Sequence, residues 1–108
     1  MKDNVIYLKH IFDSIELIEK YNLELNKKRI LNKQYLMDAI IRRFEIIGEA
    51  TKNVSREFKI KHKQIPWRDM SDMRNFLIHE YFDVDEDELM KTIKNDLPGL
   101  KKKIKELI

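Results

Sequence analysis

Cysteine is absent from this 108-residue chain, and glycine and proline occur only twice each. Without cysteine there is no disulfide, no thiol nucleophile and no cysteine metal site, which agrees with a cytoplasmic setting. So few glycines and prolines leave little punctuation for hairpins, while abundant Leu, Ile, Lys and Glu favour long helices. No apolar run approaches the roughly 20 residues of a membrane span, and the stretch from Met1 to His10 lacks the continuous apolar centre of a secretion signal. The three histidines, His10, His62 and His79, are too scattered for a metal cluster. The expectation is one all-α domain over residues 1–108, cytoplasmic, away from membranes and without a metal or other cofactor. The net charge of +3 comes from many charges of both signs, and by itself argues only weakly for a polyanionic partner.

Apolar residues at Val5, Leu8, Ile11, Phe12, Ile15 and Ile18 follow a three-and-four spacing that predicts a first helix from Asp3 to about Tyr21. The pattern breaks from Asn22 to Asn32, read as a loop, with Asn32 placed to cap the next helix. That second helix, about Lys33 to Val54, carries Leu36, Ile40, Ile47 and Val54 in one direction, flanked by Met37, Ala39, Ile41, Phe44, Ile46 and Ala50. So wide an apolar arc belongs to a central helix. Gly48 weakens it by roughly 1 kcal/mol relative to alanine, a cost best explained by close approach of another backbone. Arg43 sits within the arc, with Glu45 and Glu49 at its edge.

The connector from Ser55 to Pro66 holds a possible turn at Ser55 to Lys59, then a basic patch of Lys59, Lys61, His62 and Lys63. Such a run reads either as a solvated loop or as a contact for a polyanion. Pro66 marks the start of a third helix, about Trp67 to Phe82. A fourth, about Asp85 to Asn95, comes after an acidic cap, and Leu97-Pro98-Gly99 interrupts before a last short helix through Leu107. The architecture expected is a bundle of four main helices, with a fifth if the last pair is split at Pro98.

The third helix concentrates chemistry. On a wheel at about 100° per residue, Trp67, Met70, Met73, Leu77, Ile78 and Tyr81 form an apolar arc that includes Arg74. Arg68, Asp72, Asn75 and His79 line the adjacent strip. An arginine in an apolar arc needs an anion. Glu45 or Glu49 could supply it as an internal bridge, and a phosphate could supply it as a ligand. His79, four residues after Asn75 and on its face, is either a surface histidine or a proton carrier whose ring Asn75 orients. Beside an arginine on a phosphate oxygen, such a histidine suits attack of a ribose 2′-hydroxyl on the neighbouring phosphodiester, with no metal required. Arg74 and His79 differ by about 140° around the helix, so two copies crossing near a twofold axis would assemble the site better than one. Lys61, Lys63 and Arg68 are the candidate RNA contacts beside it. Tyr81 reads as a core ring with its hydroxyl at the surface.

Arg74-Asn75-Phe76-Leu77-Ile78-His79-Glu80-Tyr81 resembles the arginine, four residues, histidine, any residue, tyrosine signature of the HepT-like toxins of the HEPN superfamily. Ile65-Pro66-Trp67-Arg68, Ile46-Ile47-Gly48-Glu49-Ala50, Tyr81-Phe82-Asp83-Val84 and Asp96-Leu97-Pro98-Gly99-Leu100 extend the likeness over nearly the whole chain. The resemblance implies an HEPN-like four-helix subunit that dimerises and cleaves RNA without metal, with Arg74 and His79 catalytic and Asn75 supporting. It also implies a type VII toxin–antitoxin pair with a minimal nucleotidyltransferase antitoxin, as a homodimer or a larger heteromeric complex. That partner would neutralise the toxin by transferring AMP to Tyr81. The alternative is a non-catalytic helical subunit that binds a nucleotide or the nucleotidyltransferase, because a shared fold need not retain activity.

Overall fold

The computed structural model describes residues 2–27, 33–72 and 86–108. Among these residues all regular structure is helical, as expected of an all-α bundle. Helix α1 spans Lys2–Leu25 and α2 spans Lys33–Asn53. A short α3 spans Arg56–Lys61, and α4 begins with helical residues 67–72. Helix α5, Glu86–Lys91, runs through a π-helical turn at Thr92–Asp96 into α6, Leu97–Lys105.

The three-and-four spacing of α1 puts Leu8, Ile11, Ile15 and Ile18 fully inside, where each contributes on the order of 1.5–3 kcal/mol by leaving water. Val5 and Phe12, at the sides of that stripe, are half-buried. Across from α1, α2 buries Met37, Ile40, Phe44, Ile47, Gly48, Ala50 and Thr51. The centre of its arc lies on Ile40, Phe44 and Ile47, and Leu36, expected in the same direction as Ile40, is only half-buried. Thr51 resolves its buried hydroxyl by donating to the Ile47 carbonyl at 2.7 Å, one turn back. Arg43 is half-buried at the edge of the packed face.

Helix polarity is set by two contacts. Asn4, near the start of α1, makes a two-point clamp with Ser55, just beyond the end of α2. Its Nδ2 donates to Ser55 Oγ at 3.1 Å, and its Oδ1 accepts from the Ser55 backbone N–H at 2.9 Å. Helices α1 and α2 are therefore antiparallel. On α6, Lys101 Nζ lies 2.8 Å from Glu19 Oε1 and 3.8 Å from Glu16 Oε2, and sits over the Phe12 ring at 5.8 Å. Residues 12, 16 and 19 share a face of α1, so one lysine fastens α6 along that face. Its ammonium is held above the ordinary lysine range by the hydrogen bond to Glu19 first, with the charges of Glu19 and Glu16 adding against a desolvation penalty.

Three expectations are corrected. Helix α1 continues to Leu25, so residues 22–25 are helical rather than a loop; Leu25 packs against the core and extends the buried seam. The turn expected at Ser55 to Lys59 is a complete short helix. The break expected at Leu97-Pro98-Gly99 is not a break. In an α-helix, Pro98 would crowd the carbonyl four residues earlier and leave it without a donor. The π turn adds a residue there, its last bond running from the Leu97 N–H to the Thr92 carbonyl, and Pro98 falls in the first turn of α6. Helicity is kept because Ile93, Leu97, Leu100 and Ile104 form one buried stripe across the junction. The proposed Asn32 cap and the acidic cap from Asp83 to Asp85 lie outside the described residues; Glu86, Asp87 and Glu88 do form an acidic first turn on α5.

Candidate nucleic-acid interface

The connector after α2 is built as a rigid corner. Ser55 caps α3 by accepting from the Phe58 N–H at 3.2 Å, while Asn4 holds the same serine from 51 residues away. At the other end of α3, His62 caps with its backbone N–H, and its ring packs on Phe58 with centroids 4.4 Å apart. The Trp67 ring meets the same Phe58 edge-on at 6.2 Å. The His62 carbonyl accepts twice, from the Ile65 backbone N–H at 3.2 Å and from Trp67 Nε1 at 2.9 Å. The end of α3 and the start of α4 are thereby locked at a fixed angle. Helix α4 opens with the Met70 N–H bonded to the Pro66 carbonyl, so proline sits where its missing donor is not needed.

This corner arranges the basic residues by face. Lys59 on α3 and Lys63 in the turn after it come to the same side. With Arg68 they line a groove of about 360 Å³ whose other walls are Ile65, Pro66, Trp67 and Asp69. Lys61 points elsewhere, into a smaller hollow with Asn4, Ser55, Glu57 and Phe58. Of the expected RNA contacts, the fold thus brings Lys63 and Arg68 together and sets Lys61 apart. It adds Lys59, already part of the basic patch in the sequence, to that pair. Partial burial pushes the Lys59 ammonium below the ordinary lysine range. Among the described residues no carboxylate forms an ion pair with Lys59, Lys63 or Arg68, although Asp69 stands on the groove's rim.

The opening turns of α4 agree with the wheel. Trp67 and Met70 are buried, and Arg68, Asp69 and Asp72 are exposed. Arg74, Asn75, His79 and Tyr81 lie outside the described residues, which stop at Asp72 and resume at Glu86. Of the carboxylates considered for Arg74, Glu45 is paired with Arg42 of its own helix, Oε2 to Nη1 at 3.3 Å. Among the described residues no three His, Asp or Glu side chains gather as a metal site, and no helix is long and apolar enough to cross a membrane.

An all-α bundle with a corner where, among the described residues, three cations have no carboxylate partner defines a helical domain suited to a polyanion. Sequence comparison narrows that class: the chain belongs to the ribonuclease HepT-like family, whose sequence model matches residues 11–107. A Thermococcus cleftensis protein named "Probable ribonuclease HepT" is 48% identical over 101 residues, covering 94% of this chain and 92% of the relative. A Methanocaldococcus jannaschii protein, whose name joins a gamma-glutamylcyclotransferase with a presumptive RNase, is 47% identical over 103 residues. That match covers 95% of this chain but spans only 46% of the relative. A third, a presumptive RNase of Caldanaerobacter subterraneus subsp. tengcongensis, is 37% identical over 108 residues and covers 96% of that protein. No solved structure matches the chain.

Proposed function

We propose that this protein is a metal-independent endoribonuclease, folded as one domain over residues 1–108, that acts as the toxin of a type VII toxin–antitoxin pair in the cytoplasm. The observation that carries the reading is the family match across residues 11–107, which includes the whole segment from Arg74 to Tyr81. In this reading His79 accepts the proton of a ribose 2′-hydroxyl as its oxygen attacks the adjacent phosphorus. A 2′-oxygen to phosphorus bond forms, the bond from phosphorus to the 5′-oxygen breaks, and the departing oxygen takes a proton from an imidazolium. Arg74 stabilises the charge that builds on the non-bridging oxygens, and Asn75 orients the histidine ring.

Because Arg74 and His79 are five residues apart, a homodimer that pools two copies of the segment supplies both groups to one phosphate. Lys63 and Arg68 hold RNA phosphates beside the reacting one and Lys61, on a separate face, contacts the strand further along, which positions it without reading its bases. Control would come from a minimal nucleotidyltransferase antitoxin, within a heteromeric complex, by transfer of AMP from ATP to the Tyr81 hydroxyl, with pyrophosphate leaving and the phenolic proton lost. The added negative charge would compete with RNA for Arg74.

The test uses purified, unmodified protein and RNA in the presence of a chelator. Cleavage that leaves 2′,3′-cyclic phosphate ends is the expected result. Stable binding of a nucleotidyltransferase without any RNA cleavage would instead favour a non-catalytic binding subunit. Co-expression with the nucleotidyltransferase adds whole AMP masses to the wild-type chain and none to Tyr81→Phe.

A further inference from the structure

We infer that the groove between α3 and the start of α4 is a backbone subsite for single-stranded RNA, with Lys59, Lys63 and Arg68 holding phosphates that flank the scissile one. The inference rests on the ribonuclease reading and gives it a substrate path. Three cations converge on one groove from α3, the turn after it and the start of α4, which the Trp67 to His62 bond ties together, and among the described residues none is neutralised by an ion pair. Lys59 is partly desolvated there, a position that an incoming oxyanion relieves.

The groove, about 360 Å³, lies open along its length, a shape suited to a strand laid across it rather than to an enclosed small ligand. Its walls oppose base reading. Pro66 has no N–H, and the Trp67 ring is buried with its N–H already committed to His62. Trp67 is the one aromatic among the described residues that line the groove, and with it largely buried, recognition falls to the charged backbone. The distance to the proposed chemistry is bounded by the chain itself. Six residues separate Arg68 from Arg74, and even fully extended they span no more than about 22 Å. A strand seated in the groove is therefore only a few nucleotides from the reacting phosphate.

The experiment measures binding of a labelled single-stranded RNA to His79→Ala protein by fluorescence anisotropy across a salt series. On a single strand, removing one phosphate-binding charge lowers the slope of log affinity against log salt by about 0.7. The added substitutions Lys59→Gln, Lys63→Gln and Arg68→Gln are expected to lower it together by about 2 and to weaken binding at low salt. Replacing the same three by Arg, Arg and Lys keeps the charges and is expected to preserve the slope. Lys20→Gln, an exposed change near the far end of α1, leaves binding unchanged. Helical circular dichroism and melting of each variant exclude misfolding as the cause. RNA binding with an unchanged slope in the triple glutamine variant overturns the subsite alone. Failure of the His79→Ala protein to bind RNA at any salt overturns the ribonuclease reading and the subsite with it.

Discussion

The indole Nε1 of Trp67 donates to the backbone carbonyl of His62 at 2.9 Å, and that bond joins the end of α3 to the start of α4. It fixes the angle at which Lys59 and Lys63 on one side meet Arg68 on the other. Because His62 also accepts from the Ile65 N–H, removing the indole donor leaves the carbonyl satisfied and isolates the tertiary bond. Trp67→Phe is expected to destabilise the protein by about 1 to 3 kcal/mol, combining one hydrogen bond with a smaller buried ring. Trp67→Ala should cost about 3 to 5 kcal/mol. Urea unfolding measures both, and a phenylalanine variant as stable as wild type would show that the bond does not hold the corner.

The same corner is held from the opposite side by Asn4. Asn4→Ala removes both bonds of the clamp, whereas Ser55→Ala keeps the backbone bond to Asn4 and removes the one to its Oγ together with the α3 cap, worth about 1 kcal/mol. The two are expected to be non-additive. A double-mutant cycle should return a coupling of about 0.5 to 3 kcal/mol, the range for residues in direct contact. Simple additivity would mean that the clamp contributes nothing beyond its separate parts.

Lys101 gives a prediction for alkaline pH. Its folded-state pKa is raised, chiefly by the hydrogen bond to Glu19, so the folded state binds its proton more tightly than the unfolded chain does. The stabilisation is full below the ordinary lysine pKa of about 10.4 and is lost as pH rises through the higher folded value. Wild-type protein should therefore exceed Lys101→Met in stability at neutral pH, and that advantage should shrink on the alkaline limb. Chemical denaturation at a series of pH values reads the difference directly. An advantage that grows with pH would have the wrong sign for this assignment.

How far the fold is legible in the sequence depends on the range of the interactions concerned. Helices α1 and α2 are legible because Leu8, Ile11, Ile15 and Ile18, and Ile40, Phe44 and Ile47, repeat at helical spacing within a single element. Helix α3 is not. Its six residues are too few to persist alone, and the Asn4 side chain that anchors its cap lies 51 positions away. Pro98 is a fair local signal for a break, overruled by the buried stripe of Ile93, Leu97, Leu100 and Ile104 and accommodated by one π turn. The basic patch is visible as composition, but its division by face is not. The helix Arg56–Lys61 and the turn at 62–64 that follows it put Lys59 with Lys63 and turn Lys61 away. The proposed catalytic pair Arg74 and His79, with Asn75 beside it, rests on residue type, spacing and the resemblance, and the proposed modification of Tyr81 on the resemblance alone.

The central claim is that His79 moves the proton in RNA cleavage. The most direct measurement compares wild type and His79→Ala on the same RNA, with chelator present, by the rate at which 2′,3′-cyclic phosphate ends appear. General acid–base catalysis by one positioned side chain is worth about 10²- to 10⁴-fold. A loss of that size, in a variant whose melting transition and RNA affinity match wild type, is the predicted result. Equal rates for the two proteins would contradict the account.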